Sequence, residues 1–217
     1  MKLSPGNPTK MPKRGLTPDD ELWWHCSEDE WYASSVKHWT ACDDVLGGCE
    51  GVHDVDVAGS LQYLTMALGS RWAAHGADDP PPMAGSAALD LGAGCGRVTG
   101  GLLLRVFATV HMVEVSETLL AKAREDLSQH ASRLDMTQAS LQSFAPTCTA
   151  AYDTIWMQWI LGHITDTSVV RLLRACQPSL KPGGFIVVKE NNAGPRLCQE
   201  GNGNYLIDQV PRPVDSP

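Results

Sequence analysis

A chain of 217 residues and 23.4 kDa has room for one α/β domain with a sizeable core. Its formal net charge of −8 and pI near 5.3 argue against nucleic acid as a direct partner, because a phosphate-binding face needs a basic surplus. The same balance favours basic partners, peptides included, and no apolar stretch reaches the roughly 20 residues that a membrane helix needs, so no membrane partner is expected.

Residues 1–20 are rich in Pro, Gly, Lys and Thr without apolar periodicity and read as a disordered tail; the start lacks the apolar segment of a signal peptide, and an intracellular protein is expected. From Asp19 to about Asp44 the pattern turns helical and aromatic, with Trp23, Trp24, Trp31, Tyr32 and Trp39 among acids. These aromatics fit either core anchors or a lid over a pocket. Leu46-Gly47-Gly48 reads as a flexible turn, and Val55 to Ala74 has helical spacing. Residues 75–86, with Asp78-Asp79-Pro80-Pro81-Pro82, predict an exposed loop before a first strand at Ala87–Leu91.

That strand stops at glycines on alternate positions, Gly92, Gly94 and Gly96, and a helix follows over 97–106. Glycines suit a chain that leaves a buried strand, doubles back and lets a ligand approach its backbone. Strand 107–115, helix 117–130, a weaker strand near 134–139, strand Tyr152–Trp159, a helix near 166–180 and strand Phe185–Lys189 come next. Strands alternating with helices predict right-handed βαβ units, an α/β doubly wound, mostly parallel sheet. The domain is expected to span 21–191 with an N-terminal helical lid, followed by an atypical, poorly ordered tail at 192–217. The seven cysteines are scattered, without a Cys-x-x-Cys pair or a nearby His at zinc spacing, and read as reduced thiols with no metal role.

In such sheets ligands bind beyond the carboxyl ends of the strands. Glu114 stands there about 20 residues after the turn, where a carboxylate accepts the hydroxyls of a ribose. Leu141-Gln142-Ser143-Phe144 offers an amide and backbone groups to an adenine edge, and Gln158-Trp159-Ile160-Leu161-Gly162-His163 puts a polar and aromatic cluster after the fourth strand. A nicotinamide cofactor and S-adenosylmethionine are the two candidate tenants. The order Asp90-x-Gly92-x-Gly94-x-Gly96, Tyr152-Asp153, Leu180-Lys181-Pro182-Gly183-Gly184 favours the second and resembles class I S-adenosylmethionine-dependent methyltransferases.

Three blocks narrow the resemblance: Leu89 to Thr99, Tyr152 to Asp166, and Val188-Lys189-Glu190-Asn191. They look like the protein α-N-terminal methyltransferases, which methylate the α-amino group of proteins beginning Xaa-Pro-Lys; Gln158-Trp159-x-x-Gly162-His163 is the most specific part. The resemblance implies cofactor contacts from Gly92, Arg97, Glu114, Val115, Ser116, Leu141, Gln142 and Gln158, with Arg97 on the methionine carboxylate. It implies a substrate channel from Trp39, Leu46, Val52, Trp159 and Asn191, with Trp159 against the proline ring. His163 and Asn191 take the catalytic roles, His163 helping to deprotonate the amine. A cytoplasmic and nuclear location is expected on the same ground.

After Asn191 the family continues with an acid-rich stretch, whereas this chain reads Asn192-Ala193-Gly194-Pro195-Arg196 onward, with Glu200 and Asp208 the candidate acids to substitute. The sheet is accordingly expected to lack the family's last strands. A second reading therefore stands beside the first: a catalytically weak or inactive relative that binds cofactor, or a related methyltransferase, as an interaction module.

Overall fold

The computed structural model describes residues 27–40, 53–69, 72 and 82–190. Two helices, α1 (Glu28–Thr40) and α2 (His53–Leu68), precede strand β1 (Met83–Leu91). A π-helical segment (Thr99–Leu103) runs into the short α3 (Leu104–Val106), then come β2 (Phe107–Glu114), α4 (Glu117–Asp126) and a 3-10 segment (Ser128–Arg133). The chain continues through β3 (Leu134–Gln138), β4 (Tyr152–Gln158), a 3-10 turn (Leu161–His163), α5 (Asp166–Cys176), a further 3-10 turn (Gln177–Ser179) and β5 (Leu180–Lys189).

All five strands are parallel, in the order β3-β2-β1-β4-β5. Consecutive strands step outward from β1 to β3, after which the chain crosses to the other side of β1 for β4. The carboxyl ends of β1 and β4 therefore flank the point where strand order reverses, the place where such sheets open a crevice. Every residue of β4 is buried, as a central parallel strand covered on both faces requires.

The period of two along the strands divides the core. Ala88, Trp156 and Val187 face α2, the π-helical segment and Phe107 on one side. Leu89, Leu91, Ile155 and Met157 face Leu172 and Cys176 of α5 on the other. α1 docks against α5 through Tyr32, whose hydroxyl accepts from the Thr165 amide at 2.9 Å at the start of that helix.

Several element bounds differ from expectation. β1 starts at Met83, not Ala87: the residues read as loop add an edge segment with a register shift between Met83 and Ala87, where Gly85 has φ 69°. Ser86 secures it, accepting from the Ala108 amide at 3.0 Å. β5 starts at Leu180, so Leu180-Lys181-Pro182-Gly183-Gly184 lies within the strand instead of before it. Proline is tolerated because β5 stands at the edge of the described sheet. Gly184 is needed there, since a Cβ would come within 2.9–3.1 Å of three backbone oxygens. The helices expected at 117–130 and 166–180 end earlier, at Asp126 and Cys176, in 3-10 turns. α2 begins at His53 and ends at Leu68.

The expected tails 1–20 and 192–217, Trp23, Trp24, the Leu46-Gly47-Gly48 turn, and Glu200 and Asp208 lie outside the described residues, as does the side chain of Trp31.

Candidate functional site

The glycine turn after β1 is held by its neighbour strand: the amides of Gly92 and Ala93 donate to the Val113 carbonyl at 2.8 and 3.1 Å. Gly92, Gly94 and Gly96 have φ of 74°, 56° and 83°, a region that residues with a Cβ enter at a cost. Two of the three also admit close packing, because a Cβ on Gly92 or Gly96 would sit 2.7 Å from Ile160 or Leu127. A Cβ on Gly94 would meet no atom within 4 Å. The turn backs onto open space at that position alone.

Glu114 ends β2 beside this opening, and its side chain is buried. One carboxylate oxygen accepts from the Gly94 amide at 3.0 Å and the other from the Ser116 amide at 2.9 Å. A carboxylate offers about four acceptor positions, so capacity remains for a pair of ligand hydroxyls. Ser116 in turn caps α4, and the chain leaving β3 is tied to the same corner by the Ala139 amide on the Glu114 carbonyl at 3.0 Å. Leu141 and Gln142 follow at once; the Ser140 hydroxyl donates to the Gln142 side-chain oxygen, and the Leu141 carbonyl accepts from Arg171 at 2.7 Å. Val115 belongs to this corner through its carbonyl, which accepts from Gln138 at 3.2 Å.

Across the turn, a second cluster forms around a residue that the sequence had not singled out. Asp56, in the first turn of α2, accepts from Arg97 at 2.8 Å and from the Gln158 amide at 2.9 and 3.0 Å, and pairs with Lys189. Lys189 also donates to the Ser60 hydroxyl at 2.7 Å. Burial raises the Asp56 carboxyl pKa, but the hydrogen bonds from Lys189, Arg97 and Gln158 outweigh it and leave the group below the ordinary carboxylate value. The Gln158 side-chain oxygen is fixed by the Trp156 indole at 3.1 Å.

Beyond β4 the backbone turns sharply. Trp159 has φ 56°, an unfavourable left-handed conformation for a large side chain, held by its amide on the Lys189 carbonyl at 3.0 Å. The next two amides, Ile160 and Leu161, both donate to one carboxylate oxygen of Glu190, at 2.8 and 2.7 Å. This places the Trp159 ring 4.6 Å from the Arg97 guanidinium and sends the chain on to His163, whose ring meets Trp39 edge-on at 5.3 Å.

Of the residues expected to act, Gly92, Arg97, Glu114, Val115, Ser116, Leu141, Gln142 and Gln158 collect at the carboxyl ends of β1, β2, β3 and β4, while Trp159 lies against Arg97 and His163 against Trp39. Leu46, Val52 and Asn191 lie outside the described residues. The donor set suits an adenosine attached to an amino acid: a buried carboxylate with spare acceptor capacity at one end, an arginine and an amide at the other, and between them a glycine turn open at Gly94. Asp56 stands outside every block read from the sequence, and Glu190 belongs to one of them without a role assigned to it. Tyr152-Asp153, by contrast, serves the opposite end of the sheet, where Asp153 accepts from the Ala87 amide at 3.0 Å and from Lys181 at 2.8 Å.

Among the described residues no group of three or more His, Cys, Asp or Glu side chains is placed to hold a metal ion, and no helix is long and apolar enough to cross a membrane.

Comparison with known proteins agrees with this donor set. The family described as AdoMet dependent proline di-methyltransferase matches residues 27–200. The chain is 36% identical over 188 residues to the N-terminal Xaa-Pro-Lys N-methyltransferase 1 of Rattus norvegicus, covering 84% of this chain and 77% of the relative. It is 34% identical over 199 residues to the alpha N-terminal protein methyltransferase 1 of Dictyostelium discoideum, covering 84% and 71%. Among solved structures, a SAM-dependent methyltransferase of Leishmania major superposes with a TM-score of 0.60 at 31% identity, covering 73% of this chain and 60% of that one. With the match running from α1 through β5, across both the glycine turn and the turn after β4, the chain belongs to the AdoMet-dependent proline di-methyltransferase family, and its cofactor is S-adenosylmethionine.

Proposed function

We propose that the chain transfers methyl groups from S-adenosylmethionine to the α-amino group of proteins beginning Xaa-Pro-Lys. The observation that carries the reading is the contact between Arg97 and Trp159, which sets an arginine suited to the cofactor's carboxylate against an aromatic ring suited to a proline. The names and similarity of the relatives support the same substrate class.

When bound, S-adenosylmethionine supplies an electrophilic sulfonium methyl. Glu114 would receive the ribose hydroxyls, with Leu141 and Gln142 at the adenine edge; Arg97 and Gln158 would receive the methionine end. On the substrate side an α-amino group has a reference pKa near 8, so at neutral pH it is mostly protonated and must lose a proton before it attacks. His163, beside Trp39 at the approach, is the described group suited to take that proton directly or through water. Trp39 and Trp159 would then exclude solvent and align the nitrogen with the methyl, and alignment is where most of the acceleration lies in a displacement that forms no oxyanion. Leu46, Val52 and Asn191 complete the channel in this reading, on the resemblance alone.

Methyl-labelled cofactor, the purified chain and three peptides test it: Ser-Pro-Lys, Ser-Ala-Lys, and Ser-Pro-Lys with an acetylated end. Label on the first alone is the expected result. Cofactor binding with no label on any peptide would overturn the reading in favour of an interaction module.

A further inference from the structure

We propose that Asp56 is a positioning residue that fixes Arg97 and Gln158 for the amino-acid end of the cofactor, so that seating of α2 becomes part of cofactor recognition. The proposal rests on the reading that Arg97 and Gln158 receive that end.

Two observations carry it. First, the Asp56 carboxylate joins groups that nothing else in the described chain brings together: Arg97 from the start of the helical segment after the glycine turn, Gln158 from the end of β4 and Lys189 from the end of β5. Second, among the described residues Arg97 makes its hydrogen bonds through one guanidinium nitrogen only, the one that meets Asp56 and His53. The remaining donors of its fork belong to a side chain that is 8% exposed, and a fork of parallel N–H groups matches a carboxylate. Asp56 thus grips one corner of the guanidinium, Trp159 covers a face, and the other donors are kept for a ligand.

Without its anchor Arg97 is a long, rotamer-rich side chain whose ordering must be supplied by the ligand itself, at a cost in affinity. Asp56 would not touch the transferred methyl. Its removal should therefore change how well the amino-acid end binds and leave the rate at saturation largely intact.

The test compares two probes, S-adenosylhomocysteine and 5′-methylthioadenosine, which share the adenosine and thioether but differ in the amino-acid end. For Asp56→Asn the expected result is a tenfold or greater loss of S-adenosylhomocysteine affinity with 5′-methylthioadenosine unchanged within twofold. The KM for S-adenosylmethionine rises while kcat falls less than threefold, and Asp56→Glu recovers part of the loss. Equal weakening of both probes, or no weakening of the first, would overturn the proposal. Should Asp56→Asn fail to fold, Lys189→Met carries the test: it removes the ammonium that holds the Asp56 carboxylate in place and should weaken S-adenosylhomocysteine several-fold and selectively, whereas equal weakening again overturns it. A wild-type chain that binds neither probe refutes the cofactor reading itself, an outcome distinct from unselective loss in the variants.

Discussion

The Arg97 guanidinium lies 4.6 Å over the Trp159 ring, so the cation expected to meet the cofactor and the aromatic expected to meet the substrate proline are in direct contact. A cation over an indole face gains roughly 0.5–2 kcal/mol, more as water is excluded. The pair makes the two halves of the site mechanically dependent. Trp159 reaches it only by adopting φ 56°, a strained conformation fixed by the Lys189 carbonyl, at the end of a strand whose every side chain is buried.

Trp159→Leu should therefore affect both ligands. Loss of the cation–π contact predicts a roughly two- to thirtyfold fall in S-adenosylhomocysteine affinity by calorimetry. Transfer to a Ser-Pro-Lys peptide should fall further, because the proline also loses its ring partner. Trp159→Phe keeps an aromatic face and should retain most cofactor affinity. An unchanged affinity in the leucine variant would show that the contact carries no energy.

Glu114→Gln separates the ribose role from a purely structural one. The carboxylate accepts from two backbone amides, of Gly94 and Ser116, and an amide side chain has one acceptor oxygen where the carboxylate has two. Hydrogen bonds to a charged group contribute about 1.5–3 kcal/mol, so affinity for both S-adenosylhomocysteine and adenosine should drop by one to two orders of magnitude. Adenosine is the informative ligand, since it carries the ribose and nothing of the amino acid. Normal adenosine binding by the variant would refute the assignment.

The glycines of the turn predict a contrast between stability and binding. Gly92→Ala puts a Cβ 2.7 Å from the Ile160 side chain at φ 74°, and should lower stability by about 1–3 kcal/mol in chemical denaturation. Shortening its neighbour in Gly92→Ala/Ile160→Ala should recover none of the φ cost and part of the steric one. Gly94→Ala bears the φ cost without the clash, so it should be the more stable of the two single variants and still lose cofactor, because its methyl enters the open space. A Gly94→Ala chain that binds cofactor normally would place the ligand elsewhere.

The legibility of these features in the sequence follows their physical origin. The turn at 92–96 was readable because positive φ demands glycine, and β4 because a strand buried on both faces has an apolar centre, here Ile155-Trp156-Met157. The start of β1 was hidden by Gly85 and by a bulge that only the pairing with β2 reveals. Pro182 and Gly183-Gly184 look like a loop, but at an edge strand the missing amide of proline costs little and the glycines admit neighbouring backbone. Asp56 was invisible for another reason. An acid in the first turn of a helix is ordinary on dipole grounds, and its partners Arg97, Gln158 and Lys189 stand 41, 102 and 133 residues away in sequence. Such a cluster is created by the topology, not by local spacing.

Asp90 predicts a pH dependence of stability whose sign can be worked out. Its carboxyl is buried beneath the turn, accepting from the Thr99 hydroxyl at 2.7 Å. Burial, with the nearby Glu114 charge as a minor contributor, raises its pKa from 3.8 to about 6, against the lowering pull of Thr99 and Arg97. Between those two values the folded chain binds the proton that the unfolded chain has released. Stability from this group is thus fully present below pH ~4, declines as pH rises toward about 6 and is flat beyond. The gap corresponds to about 3 kcal/mol. Asp90→Asn stays neutral throughout, so its stability in urea denaturation should nearly equal that of the wild type at pH 4 and exceed it at pH 7, by up to that amount. The lowered Asp56 pKa acts oppositely, withdrawing stability as pH falls, but it is common to both chains and cancels in the difference. Parallel stability curves for the two proteins between pH 4 and 7 would mean that the wild-type Asp90 keeps its ordinary acidity beneath the turn.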